Sequence, residues 1–340
     1  MVPNSHKRPQ NLVLNKHKSA LITGVTGQDG SYLAELLVRQ GYKVHGMVQD
    51  ISSPKSVWLK KLIPEIELLQ GNVTDIDSIR KALDISSPNE VYNLAAMSFV
   101  AQSWQLVNLT TEVTAKGTLN MLEACKDFAG NDIGSIRYYQ ASSSEMFGAT
   151  TTSPQDETTA FWPRSPYGVA KVFSHHMTIN YRESYGMFAC SGILFNHESP
   201  RRPEQFVSRK ITKAVARISL GLQDKLTLGN LDTRRDWGFA GDYVDAMWRM
   251  LQAPDADDYV IATGKSHSLR EFVTSAFGAV GIADWEKFVS VDQSLMRPAD
   301  IQVLVGNPQK AQVQLGWNPT LTFEELVTVM VQSDVETEGN

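Results

Sequence analysis

The chain has 340 residues, 42% of them hydrophobic, enough to bury a full core in one large or two smaller domains. Its 32 basic against 37 acidic side chains leave a net charge of -5, which argues against a general nucleic-acid surface. Two cysteines, Cys125 and Cys190, exclude a disulfide framework, and no stretch approaches the ~20 apolar residues of a membrane-spanning helix. A soluble, cytoplasmic protein that neither enters a membrane nor binds a metal is expected. Residues 1–18, polar and basic, are expected as a disordered arm.

Ser19–Thr23 is a short apolar run ending in Gly24 and predicts a buried strand. Leu33, Leu36 and Leu37 then fall on one helical face, and Gly41 ends that helix. Lys43–Val48 predicts a second strand. Further strand-like runs occupy residues 66–70, 90–94, 137–141 and 189–195, and helical segments occupy 74–83, 110–128 and 167–185. This alternation predicts an α/β fold, with a parallel sheet covered on both faces. Beyond Asn196 the rhythm loosens around Pro200, Pro203, Pro298 and Pro308, with helices expected at 207–220, 240–252 and 268–280. Thr322-Phe-Glu-Glu325 has capping-box spacing and starts a last helix. The last third reads as a smaller α/β lobe built on the sheet, interleaved with it and not independent.

Between the first strand and first helix, Thr23-Gly-Val-Thr-Gly-Gln-Asp-Gly30 places glycines at 24, 27 and 30. Glycine permits a tight turn and lets the backbone approach a pyrophosphate, which then sits on the helix N-terminus. A plain strand-to-helix turn is the alternative, and the position of the triplet favours the phosphate loop. After the second strand, Met47-Val-Gln-Asp-Ile51 carries an acid and no arginine. An acid there accepts from a free ribose hydroxyl, which favours NAD over NADP. A solvated loop carboxylate is the alternative for Asp50.

Tyr167 and Lys171 lie one helical turn apart, so both side chains share a face. A nearby ammonium favours phenolate, and the tyrosine then takes the proton from a hydroxyl whose carbon loses hydride. Upstream, Ser142-Ser-Ser-Glu145 follows a strand. Ser143 can bond the substrate hydroxyl, while Glu145 can remove a carbon-bound proton beside a new ketone and then protonate a leaving hydroxyl. The alternatives are a helix N-cap serine and a surface glutamate near a helix N-terminus.

These strings together carry a resemblance. The Thr23 to Gly30 loop, Asn93-Leu-Ala-Ala96, Ser142 to Glu145 and Tyr167 to Lys171 resemble the extended short-chain dehydrogenase/reductase superfamily. Gly27-Gln-Asp-Gly-Ser-Tyr-Leu-Ala34, Asn180-Tyr-Arg-Glu-Ser-Tyr-Gly186, Asn196-His-Glu-Ser-Pro-Arg-Arg202 and Arg235-Asp-Trp-Gly238 are similar to the GDP-mannose 4,6-dehydratases. The resemblance runs from about residue 19 to residue 335. It implies a Rossmann-type doubly wound parallel sheet, with a dinucleotide-binding domain over 19–195 and a nucleotide-sugar lobe mainly over 196–340.

It also implies an activity: C4 oxidation by Tyr167, proton removal from C5 by Glu145, loss of water from C6, and return of the hydride there. Ser143 orients the C4 oxygen, and Lys171 completes the set. The implied cofactor is NADP or NAD, tightly bound and regenerated, held by Gly24, Thr26, Gly27, Gln28, Asp29, Gly30, Asp50, Asn72, Val73, Leu94, Ala95, Ala96, Tyr167 and Lys171. The GDP-sugar would meet Ser98, Gln102, Ser143, Asn196, Arg202, Val207, Lys210, Asn230, Arg235, Arg297 and Asp300. Any of these arginines is otherwise a surface ion-pair member. His45 and His197 read as structural, since no metal or nucleophile partner stands near them in sequence. A homodimer or homotetramer is implied, the dimer through helices near 110–128 and 167–185.

The chain departs from the family at three places. Asp50 and Ile51 stand where the family carries two arginines serving the NADP phosphate and a neighbouring subunit, which leaves NADP preference and the tetramer in doubt. Asn72 replaces an aspartate, and Asp300 a glutamate. Rival expectations are the same chemistry on another GDP-sugar such as a GDP-heptose, an epimerase or reductase on the same scaffold, or a silent nucleotide-binding protein. Glu145 argues against epimerisation, which needs no base at C5, and the intact Tyr167–Lys171 pair argues against silence.

Overall fold

The computed structural model describes residues 18–293 and 303–339. Most of the expected N-terminal arm therefore lies outside the described residues. Lys18 does not, and its ammonium reaches Glu90 (3.2 Å), which ties the chain down one residue before the first strand.

Seven parallel strands make the main sheet: β1 (Ser19–Thr23), β2 (Lys43–Val48), β3 (Glu67–Gln70), β4 (Glu90–Asn93), β5 (Arg137–Ser143), β6 (Phe188–Leu194) and a last strand, Asp258–Ile261. Their order is Asp258–Ile261, β6, β5, β4, β1, β2, β3. The chain therefore builds outward from β1 in both directions, which opens a crevice at the carboxyl ends of β1 and β4. Strand pleating sends neighbours to opposite faces. Ala20 and Ile22 join the core beneath α1 (Gln28–Arg39) and the helix Ala240–Met250. Leu21 joins the other core, beneath α3 (Ile76–Ser86), Gly117–Ala129 and Pro166–Tyr185. Helices thus cover both faces, as the alternating pattern requires.

A third core fills the last part of the chain, where Ile211, Val215, Trp237, Phe272, Phe277, Phe323 and Met330 pack between the helices Val207–Ser219, Leu269–Gly278 and Phe323–Glu338. The capping box at Thr322 and Glu325 is formed. Helix Ala240–Met250 and strand Asp258–Ile261 nonetheless return to the main sheet, so the chain crosses between the two regions more than once.

Four of the differences from expectation bear on the sheet and the site. β5 runs two residues further, to Ser143, and carries that residue to the crevice. The 110–128 helix is broken, with Thr111–Lys116 wound as a π-helix before Gly117–Ala129. Helix α2 (Pro54–Leu62), capped by Ser53, fills a stretch the periodicity left unassigned. Strand Asp258–Ile261 is too short to announce itself and exists through pairing with β6. Among the described residues no helix is long and apolar enough to cross a membrane.

Candidate active site

The turn after β1 is built by close approach. Gly24 adopts φ +66°, and a Cβ there would meet the Ala95 backbone nitrogen at 2.9 Å. At Gly30 a Cβ would lie 2.5 Å from the Val25 Cα, so the first turn of α1 packs directly on the loop. The Thr23 hydroxyl accepts from the Leu94 and Ala95 amides (3.1 Å each) and donates to Asn93 Oδ1 (2.7 Å), which pins the ends of β1 and β4 together. Gly27 is the N-cap of α1 and supplies no capping side chain. The first amides of that helix are therefore left to an outside acceptor, which suits a dinucleotide pyrophosphate.

The residues expected to react lie around the end of β5. Ser143 caps the short turn Ser144–Met146, accepting from the Glu145 amide (3.3 Å). The helix bearing Tyr167 begins alongside: Ser165 accepts from the Gly168 amide (3.0 Å), and Pro166 occupies the first turn. Without a Cβ at 168 the helix comes close to the turn, since one there would meet the Glu145 carbonyl at 2.8 Å. Burial pushes the Tyr167 phenol up to about 12; a hydrogen bond with Ser143 works against this, and the Glu145 charge adds to it. Glu145 itself is half-buried.

Lys171 is buried, with its Nζ donating to the Ala141 carbonyl (2.7 Å) and standing 5.7 Å from the Tyr167 ring centre. Burial pulls its pKa down to about 8, against the opposing charge of Asp29. The expectation that this ammonium would lower the phenol is corrected: burial of the phenol dominates, and the lysine's proton is directed at a carbonyl.

Sequence reasoning missed one pair. His197 Nε2 meets Asp29 Oδ2 at 2.8 Å, its Nδ1 meets the Phe195 carbonyl at 2.7 Å, and its ring stacks on Tyr243. Desolvation opposes the charge on Asp29, but His197 outweighs it and holds that carboxyl at about 2. The imidazole, lowered by burial, is raised on balance by Asp29. Gln28 locks the same corner, donating to Asp29 (3.0 Å) and to the His197 carbonyl (3.0 Å) while accepting from Ser199 (2.8 Å). A histidine just past a strand's carboxyl end was the one available signal.

The other expected contacts lie on several different elements. Thr26 is half-buried in the loop. Leu94, Ala95 and Ala96 follow β4 beside it, with Ser98 and Gln102 exposed beyond them. Asn72 caps its own turn, its Oδ1 accepting from the Thr74 amide (3.1 Å), and Val73 is buried against Gly117. Asp50 is exposed, its Oδ1 accepting from the Ser52 amide (2.8 Å) and hydroxyl (2.6 Å). Arg202 pairs with the buried Glu198 (3.1 Å) and lies over Phe206, and its charge reaches Asp29 and Tyr167. Asn196 is half-buried one residue from His197. Val207 and Lys210 start one helix, and Lys210 donates to the Thr227 carbonyl (2.7 Å). Asn230 accepts from the Asp232 amide (2.9 Å), and Arg235 donates to the Arg234 carbonyl (2.9 Å). Arg297 and Asp300 lie outside the described residues. No cluster of three or more metal-binding side chains forms among those described.

The family model described as GDP-mannose 4,6 dehydratase matches residues 21–330. The chain belongs to the GDP-mannose 4,6-dehydratase family. It is 49% identical to GDP-mannose 4,6 dehydratase 1 of Arabidopsis thaliana, across 95% of this chain and 91% of that one. It is 45% identical to the human GDP-mannose 4,6 dehydratase, across 93% and 91% respectively. Among solved structures, a UDP-glucose 4-epimerase of Thermotoga maritima superposes with TM-score 0.83 at 22% identity, covering 94% of this chain and 99% of that one. A dTDP-glucose 4,6-dehydratase of Streptomyces venezuelae superposes at 0.82 with 21% identity, covering 94% and 98%. These two speak for the fold, and the Rossmann-type sheet agrees with them. Membership of the GDP-mannose 4,6-dehydratase family makes the chain an enzyme, a hydro-lyase acting on a nucleotide sugar.

Proposed function

We propose that the chain converts GDP-D-mannose to GDP-4-keto-6-deoxy-D-mannose, with Ser143, Glu145, Tyr167 and Lys171 as the reacting set. The observation that carries this is the turn bearing Glu145, which follows β5 and packs directly on the first turn of the Tyr167 helix, where a Cβ at Gly168 would meet the Glu145 carbonyl at 2.8 Å. Alcohol oxidation alone needs the phenol; a carboxylate beside it serves a second proton transfer.

A nicotinamide dinucleotide held by the loop over residues 24–30 and the uncapped start of α1 would supply hydride-accepting and hydride-donating chemistry, and its positive charge would favour phenolate at Tyr167. The Ser143 hydroxyl holds the C4 oxygen. Tyr167 takes the C4 hydroxyl proton as the ketone forms. Glu145 takes the C5 proton, which the ketone acidifies, and delivers it to the departing C6 hydroxyl, so water leaves and the carboxylate is restored. Hydride addition at C6 then requires one proton at C5, and the proton that Tyr167 took from the C4 hydroxyl closes that balance and restores the phenolate. Lys171, held by the Ala141 carbonyl, keeps a proton beside the phenol. Arg202, Arg235 and Asn196 would meet the diphosphate, which suits arginine's planar fork.

NAD is the cofactor we infer. Asp50 offers its second carboxylate oxygen to a ribose hydroxyl, and residues 48–53 contain no cation to meet a 2′-phosphate. Dissociation constants for both dinucleotides test this, and tighter NADP binding refutes it. We also infer a homodimer through Trp104, Val107, Val169 and Phe173, which are 52%, 45%, 57% and 41% exposed around an apolar cleft of about 720 Å³. The free, buried Cys125 and Cys190 suit the cytoplasm.

Incubation with GDP-mannose and other GDP-sugars, with and without added dinucleotide, tests the activity. Mass spectrometry should find a product lighter by one water from GDP-mannose. An unchanged mass would mean epimerisation, and a gain of two hydrogens reduction.

A further inference from the structure

Ser142 immediately precedes Ser143 in β5, and the strand's pleat turns its side chain the other way. There its Oγ meets His175 Nδ1 at 3.0 Å. Ser142 and His175 are 2% and 3% exposed. His175 lies one turn beyond Lys171 and two beyond Tyr167 on the same helix. Burial holds its pKa down to about 4; Asp258 opposes this, while His176 and Arg182 reinforce it, so the ring is neutral at working pH.

The same imidazole also packs edge-on against Phe161 (5.2 Å between ring centres), and Phe161 packs against Phe147 (5.3 Å). Phe147 directly follows the turn Ser144–Met146 that carries Glu145. One ring therefore touches the strand entering that turn and, through Phe161, the residue leaving it. A phenylalanine would fill the space without the cost of burying a ring nitrogen, so the polar contact to Ser142 is the feature that needs a reason.

Resting on the dehydratase assignment above, we infer that His175 is a positioning residue, clamping both flanks of the Glu145 turn through Ser142 and Phe161. The carboxylate is thereby kept facing the Tyr167 phenol. Nothing about the clamp needs His175 to change protonation or to touch the sugar.

The test compares Ser142→Ala, His175→Phe, the double variant and His175→Asn, whose amide places a polar atom near the position of Nδ1. Each of the first two should lower kcat about tenfold with KM for the GDP-sugar unchanged, since misplacement by a fraction of an ångström is costly. The double variant should be no slower than the singles, and His175→Asn, which keeps a polar partner for Ser142 but loses the ring against Phe161, should recover part of the loss. Hydrogen exchange of the peptide spanning residues 140–148 reads the clamp without substrate, and it should quicken equally in both singles and no further in the double. Wild-type kcat in Ser142→Ala, multiplied losses in the double, or unaltered exchange would overturn the proposal; should His175→Phe not fold, Ser142→Ala and His175→Asn decide it. A wild-type protein inactive on every GDP-sugar, with the exchange response intact, would sink the dehydratase assignment and leave the clamp standing.

Discussion

Replacing Asp29 by asparagine removes one charge from the His197 contact while keeping a hydrogen-bonding side chain of the same shape. In the folded protein His197, helped by Gln28 and Arg202, overcomes desolvation and holds the Asp29 carboxyl at about 2, against an ordinary value of 3.8. At 1.36 kcal/mol per pKa unit, that depression contributes about 2 kcal/mol of stability. Asp29 is 23% and His197 11% exposed, so solvent screens the pair only in part. The sign follows from the two directions. Asp29's depressed pKa gives stability that is present above 3.8 and lost as pH falls through about 2. The raised pKa of His197 gives stability present below 6.5 and lost as pH rises through its folded value. The pair titrates as a unit and stabilises most between pH about 4 and 6.5. Thermal melts of wild type and Asp29→Asn across that range should differ by several degrees, and the gap should close toward pH 2. Imidazole titration by NMR should find the His197 pKa lowered in the variant, because burial is then unopposed. Equal melting temperatures at pH 5, or an unmoved imidazole, would refute the reasoning.

Glu145→Gln should bind GDP-sugar and dinucleotide as the wild type does and still reduce the nicotinamide in a single turnover, while overall dehydration falls at least ~100-fold. Absorbance of the reduced ring and mass spectrometry of the product measure the two halves, and full turnover would remove Glu145 from its role. Gly30→Ala brings a Cβ to 2.5 Å from the Val25 Cα, so α1 must shift away from the loop. Dinucleotide affinity measured by calorimetry should drop about tenfold or more, and unchanged affinity would mean the loop does not hold the pyrophosphate. Val169→Glu combined with Phe173→Glu places two charges on the apolar helix face and should give monomers by light scattering, whereas an intact dimer would move the interface elsewhere.

Most of the sheet was legible because period-two and period-3.6 patterns report buried faces directly. What escaped depends on neighbours distant in sequence. Asp258–Ile261 is four residues long and becomes a strand only beside β6. The π-helical Thr111–Lys116 carries no composition that separates it from the α-helix after it. At the end of β5, the spacing of Tyr167 and Lys171 and the run from Ser142 to Glu145 announced themselves, and the structure sets Ser143 and the Glu145 turn beside the Tyr167 helix while turning Ser142 away. The Asp29–His197 pair spans 168 residues and the Ser142–His175 pair 33, so no spacing reveals either. The direction of the Tyr167 shift was misread for a related reason. A neighbouring ammonium is visible in a sequence, whereas the depth at which a phenol is buried is not.

The hydroxyl of Ser143 serves two masters. It accepts the Glu145 amide and stands near enough to the Tyr167 phenol to favour its ionisation, so the proposed base and the proposed phenolate share a single oxygen as their common reference point. Deleting that oxygen would loosen both at once, and the loss in an alanine variant would exceed anything owed to substrate contact alone. Threonine, which keeps the hydroxyl, is the cleaner probe of what the substrate itself asks of position 143.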